Sequence, residues 1–112
     1  MTINFVAAVS ESVPTTDTVL FTASTTINSA QIVSGVCNNY SAGAETITVN
    51  IISSGGSVGT TNEYISALSI AAGDNDPLEG IVGAILAPGD SVSIVGSTVT
   101  TMNLRLGIKE LS

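Results

Sequence analysis

The sequence predicts an all-β fold: a single-domain β-sandwich, jelly-roll-like, of about seven to eight antiparallel strands. Three observations predict it. Apolar and polar residues alternate at period two in several short runs, with Gly, Asn, Asp and Pro between them. Hydroxyls supply the polar half of the alternation: there are 15 Ser and 14 Thr among 112 residues, side chains that suit the solvent face of a strand. Charged residues make up only 10% of the chain, against about 25% in an average domain. The Glu, Lys, Gln and Arg that coat helix surfaces are therefore scarce.

Residues 1–17 read as an N-terminal strand or arm, able to dock on a neighbour. Ile3, Phe5 and Ala7 share one face of it, and Glu11 to Asp17 form a turn or linker around Pro14. The sandwich itself spans 18–112. In its first strand Val19, Phe21 and Ala23 alternate with Thr18, Leu20, Thr22 and Ser24. A strand over about 27–37 follows, its stretch from Gln31 to Cys37 small, β-branched and buried. It ends at Asn38-Asn39-Tyr40-Ser41-Ala42-Gly43, a turn signal because Asn and Gly tolerate left-handed backbone. From Glu45 to Ser53, Ile47, Val49 and Ile51 point one way and Thr46, Thr48 and Asn50 the other. Ser53 to Gly59 is a flexible loop.

Glu63 to Ala71 reads as a strand with Tyr64, Ser66, Leu68 and Ile70 on one face, or as a short helix. Leu78, Ile81, Val82, Ile85 and Leu86 have a 3.6-residue spacing, which Gly80 and Gly83 weaken. The pattern leaves open whether 64–86 contains a helix. Ala87-Pro88-Gly89-Asp90 is a turn with Pro preset for its first corner. Val92, Ile94 and Gly96 make another strand. Met102, Leu104, Leu106 and Ile108 then alternate with Thr101, Asn103, Arg105 and Gly107 in the last.

Composition excludes several functions. The formal net charge is −7, with two basic residues, Arg105 and Lys109. Nucleic acid and anionic membranes are bound through many Lys and Arg, so neither is an expected partner. No run approaches about 18 apolar residues, the length of a membrane-spanning helix. The start, Met1 to Phe5, lacks the basic and apolar regions of a signal peptide. One cysteine, Cys37, precludes an internal disulfide and is read as a buried small hydrophobe.

No catalytic residue is assigned. The chain has no His, which removes the commonest general base and every Ser-His or Cys-His pair. The chain is therefore read as a non-enzyme without a cofactor. The acidic cluster Asp74, Asp76 and Glu79 is a candidate Ca²⁺ loop, set against a solvated turn. A carboxylate hydrolase would have to draw a pair from these residues and Asp90. The Gly55-Gly56-Ser57-Val58-Gly59 run lacks the Lys of a phosphate loop. Tyr40 beside its turn, and Arg105 and Lys109 on one face of the last strand, are interface candidates.

A Thr/Ser-rich lead at Ala23 to Thr26 precedes the apolar strand Ile32 to Cys37, the turn at Asn38-Asn39 and the strand Thr46 to Val49. The turn Ala87 to Val92 and the closing Gly107-Ile108-Lys109-Glu110 come later. In this arrangement the chain resembles the small β-sandwich virion structural proteins of tailed bacteriophages, capsid cement (decoration) proteins among them. The resemblance implies a homotrimer made in the host cytoplasm and bound to the major capsid protein on the capsid exterior, where it stabilises the shell. A head–tail connector, tail or baseplate component is the nearest alternative. A carbohydrate-binding or adhesion module of sandwich type is the alternative from another class.

Overall fold

The cleanest alternation in the sequence lies at the middle of a sheet. In the computed structural model, which describes residues 2–97 and 101–112, Met102, Leu104, Leu106 and Ile108 are buried, while Asn103, Arg105, Gly107 and Lys109 face outward. They belong to β9 (Met102–Leu111). The other strands are β1 (Ile3–Ser10), β2 (Thr18–Thr22), β3 (Ser29–Asn39), β4 (Glu45–Ile52), β5 (Glu63–Ile70), β6 (Asn75–Asp76), β7 (Ile85–Leu86) and β8 (Ser91–Gly96). One 3₁₀ turn, Thr60–Asn62, is the only helical element among the described residues.

Every pairing is antiparallel. One sheet runs β1-β9-β3-β6, with β7 also on β3; the other runs β2-β8-β4-β5. Two-residue β6 and β7 share the far side of β3 and act as one broken strand. The chain crosses between the sheets at every connection except β4–β5 and β6–β7, giving the jelly-roll sandwich that the sequence predicts. Ile32, Leu104, Leu106 and Ile108 from the first sheet meet Ile47, Val49, Val92 and Ile94 from the second in one core. Gly96 lies where a Cβ would come within 2.8 Å of the Met102 Cε and 2.9 Å of a Val13 methyl, so only glycine lets Val13 close this end.

The N-terminal segment is a full strand of the sandwich rather than a detached arm. Ile3 to Ser10 pair residue for residue with Leu111 to Leu104, and Thr2 and Ser112 exchange two backbone hydrogen bonds of 2.8 and 2.9 Å. Met1 lies outside the described residues. The Ile3-Phe5 face of β1 points to solvent, and the opposite face buries Ala8.

Three strands depart from simple alternation, each at a bulge that adds one residue and reverses the faces beyond it. In β3 the register slips at Val33, so Ile32 and Cys37 both point inward although five residues separate them, and Val33 is exposed. The expectation of burial from Gln31 to Cys37 thus holds for Ile32 and Cys37 only. In β2 the slip at Leu20 leaves Val19 exposed while Ala23 is buried. In β5 there are two slips, one between Glu63 and Ile65 and one between Ile65 and Leu68, where Ala67 takes φ 46° and its N–H bonds to Thr48 Oγ1 at 3.0 Å. The buried residues of β5 are consequently Ile65 and Ile70; Tyr64 and Ser66 are exposed.

Neither segment that might have been helical is a helix. Residues 77–84 form consecutive turns, with Ile81 N–H donating to Leu78 O and Ala84 N–H to Ile81 O. Leu78 (φ 53°) and Gly83 (φ 94°) are left-handed, which no α-helix accommodates. This geometry drives Leu78, Ile81 and Leu86 into the core and turns Val82 and Ile85 out.

Four polar side chains hold the loops. Asn39, buried at the end of β3, donates to Gly43 O and Ile70 O and accepts from Ser41 N–H at 2.9 Å. Asn50, also buried, donates to Gly59 O and to Asn62 Oδ1. Asn62 in turn donates to Ser57 O and accepts from Gly59 N–H. The 53–59 loop, expected to be flexible, is therefore pinned at its far end. Asp90 accepts from Ser54 N–H and Ala87 N–H, which locks the 87–90 turn to the same loop.

Candidate interaction surface

The residues with chemical potential are absorbed by the fold. Cys37 is fully buried on β3, directly across from Asp76 of β6. Burial, and after it the negative charge of Asp76, push its thiol up from 9.0 to about 11. The thiolate that nucleophilic or metal chemistry needs is thus suppressed. Because the folded state favours the neutral thiol, its contribution to stability is complete below the unfolded thiol's 9.0 and is lost as pH rises through about 11. We expect denaturant-measured stability to fall by roughly 2–3 kcal/mol over this range, beyond the decline seen in Cys37→Ala. A thiol reagent should modify the native protein only at its unfolding rate.

Among the described residues no three of His, Cys, Asp and Glu are grouped to hold a metal ion. Two of the Ca²⁺ candidates serve their own turn: Asp74 Oδ1 accepts from Asn75 N–H and Asp76 Oδ1 from Leu78 N–H, at 2.9 and 2.8 Å. Glu79 is exposed. Asp76 and Glu79 do share a depression of about 470 Å³ with Tyr64 and Pro77, beside the β5 edge. The bulges of β5 and the turns after β6 place Tyr64, distant in sequence, beside these acids.

The outer face of the first sheet has a different character. Its β1 positions are Ile3 (57% exposed), Phe5 (69%), Ala7 and Val9 (47%). Across the ladder these adjoin Leu111, Lys109, Gly107 and Arg105 of β9. Both basic residues of the chain therefore stand on this face, Lys109 beside Phe5 and Arg105 beside Val9, in a molecule carrying nine carboxylates. Next come Gln31, Ser34, Val36 and Asn38 of β3, and then Ile85 of β7, itself exposed. A contiguous apolar face of this kind, with few charges to desolvate, is the composition of a contact surface.

Arg105 and Lys109, paired by sequence, are thus paired in space. Tyr40 is exposed but lies past the Asn39–Met102 end of the ladder. Seven residues of β9 separate that end from Lys109, about 23 Å at strand rise, so Tyr40 belongs to a different part of the surface. Ile3, Phe5 and Val9 were not singled out as contact residues. Their alternation gives one shared face but not its direction; the absence of any charge from Ile3 to Ser10 was the available signal.

No protein-family model and no curated protein matches the chain. Solved structures do. One is a chain of the Bacillus endospore appendages, described as a novel family of disulfide-linked pili: TM-score 0.57 and 15% identity, covering 99% of this chain and 88% of that one. Another is a chain of infectious bursal disease virus, Gx strain: TM-score 0.60 and 15% identity, covering 98% of this chain. This chain spans 33% of the viral one. At this identity the likeness establishes the fold: the chain is a two-sheet β-sandwich of a kind found in a bacterial pilus and in a virus.

Proposed function

We propose that the chain is a non-enzymatic structural subunit of a large protein assembly and, within that class, a phage capsid cement protein seated on the shell exterior against the major capsid protein. The observation that carries the reading is the outer face of the first sheet, where exposed Ile3, Phe5, Val9 and Ile85 surround the only two cations of an acidic chain. Such a face fits an apolar, acidic protein surface better than a small substrate. Two further points support it. The fold recurs in a pilus and in a virus, and the single cysteine is buried and protonated rather than poised for reaction.

The test is quantitative mass spectrometry of purified particles together with rebinding of the chain to stripped shells. A copy number of the same order as the coat protein is expected. The double variant Arg105→Glu/Lys109→Glu should bind shells at least tenfold more weakly with unchanged thermal stability, since neither side chain is in the core. A few copies per particle would move the chain to a connector, tail or baseplate. Its absence from particles, but presence in surface fibres, would overturn the virion reading and keep the structural one.

A second reading, a carbohydrate-binding module, is favoured by one feature: exposed Tyr64 beside Asp76 and Glu79 in the depression along β5. A glycan array with wild type and Tyr64→Ala, with and without Ca²⁺, tests it. Binding that requires Tyr64 would displace the cement proposal.

A further inference from the structure

We propose that β1 pairs antiparallel with β1 of a second copy, about a twofold axis at Val6, joining the two first sheets into one. The contact stands whether or not either copy sits on a shell, so it does not rest on the cement reading.

The backbone sets the geometry. Thr2 and Ser112 exchange both of their hydrogen bonds. Such pairs recur at every second position of an antiparallel ladder. Asn4, Val6, Ala8 and Ser10 therefore spend their N–H and C=O groups on β9. Ile3, Phe5, Ala7 and Val9 direct theirs away from it, toward the free edge. Over about 26 Å this edge offers four donors and four acceptors in a regular row, and the β1–β9 register carries no bulge.

The other edges of the sandwich are guarded by devices that discourage strand addition. Two-residue β6 and β7 are too short. Five-residue β2 is bulged, and β5 is bulged twice and begins with a charge at Glu63. β1 has neither bulge, charge nor proline over eight residues. A stable soluble chain leaves such an edge bare only if something covers it.

The composition of the edge points to a second copy. With the axis at Val6, Ile3 faces Val9 of the other copy and Phe5 faces Ala7. Phe5 then lies against a small residue and Ile3 against another β-branched one, a favourable cross-strand pair, and all eight free backbone groups of each strand are used. One row further out, Phe5 extends over the partner's Gly107, which adds no side chain of its own. Charge agrees: two chains of net charge −7 repel, but this strip contains no carboxylate. On this face it is flanked by Arg105 and Lys109, which lower the negative field there, while Glu110 stands beside Asn4 on the opposite face and Glu11 follows the strand. The joined strands and apolar side chains bury on the order of 1,000 Å², the threshold of a specific interface.

Sedimentation velocity from about 1 μM to about 1 mM, with residue-resolved amide exchange at both ends of the range, tests this on the full chain. A monomer–dimer equilibrium is expected. The Phe5 and Ala7 amides should be protected only at high concentration, while Val6 and Ala8 are protected throughout. Ala7→Pro removes an outward N–H that β9 does not use, and Phe5→Glu places a charge on an exposed position. Each should raise the dissociation constant at least tenfold while keeping the monomer's thermal stability. A monomer across the whole range, a trimer, or a dimer indifferent to both variants would overturn the proposal. Particle binding is read separately through Arg105 and Lys109.

Discussion

Replacing Asn39 by aspartate is expected to lower the unfolding free energy by about 3–5 kcal/mol at neutral pH. The side chain is 1% exposed, and its amide nitrogen lies 2.9 Å from Gly43 O and 2.8 Å from Ile70 O. Aspartate keeps the oxygen that accepts from Ser41 N–H but turns the donor into a second acceptor, facing two carbonyls in a site shut off from water. The charge has no cation nearby, since both basic residues lie on the outer face of the sheet. Its carboxyl should therefore titrate above the usual range. In the variant the neutral form is favoured in the folded state, so the loss deepens as pH rises through the folded pKa and is partly relieved in acid. Asn39→Ala should cost about 2–3 kcal/mol without that acid recovery. Urea titrations of both variants from acid to neutral pH make the comparison; equal, pH-independent losses would show that Asn39 fills space rather than clamps β3 to the end of β5.

The second large effect separates two readings of residues 77–86. As a helix, the segment would bury Leu78, Ile81, Val82 and Ile85 along one stripe. In the structure Leu78 and Ile81 are fully buried, whereas Val82 is 43% and Ile85 66% exposed. Leu78→Ala and Ile81→Ala should each cost about 2–5 kcal/mol through the cavities they leave. Val82→Ala and Ile85→Ala should stay within about 0.5 kcal/mol. Four equal losses in chemical denaturation would contradict the turn structure. Leu78 is the more telling position, because its φ of 53° is held by the packing of its own side chain and by the Asp76 bond to its N–H. Shortening that side chain removes the contact that opposes the strain.

What could be read from the sequence follows from how residues encode direction. Where a strand runs without interruption, alternation fixes its faces: β9 was read correctly from Met102 to Ile108, and the inward set Ile47, Val49 and Ile51 of β4 likewise. A bulge adds a single residue with no compositional mark, and everything beyond it is then assigned to the wrong face. Ala67 is an ordinary alanine in a left-handed conformation, and nothing about it announces that Ile65 and Ile70 share a side. Leu78 conceals its turn in the same way. Asn50 defeated the reading for another reason: it lies on the outward face of β4 as expected, but the 57–62 loop folds over it and buries it. The outer face of the first sheet was half legible. Two cations four apart on a strand must share a face, which identified Arg105 and Lys109. The direction of the β1 face depends on what lies across the sheet, and period two is silent on that.

The position of β9 governs the order in which the molecule can assemble. It is the last strand in sequence yet lies between β1 and β3, so the first sheet has no central member until residues 102–111 are in place. β1 and its partner are separated by about a hundred residues of chain, and closing so long a loop precedes any gain from the pairing. The second sheet has a shorter route, since β4, β5 and β8 all lie within residues 45–96. Folding should thus begin there and end with a single slow insertion that completes the first sheet, on the millisecond-to-second scale of β-topologies rich in distant contacts. Until that insertion occurs β1 is unpaired on both sides, and its uncharged apolar edge is the stretch most exposed to premature association.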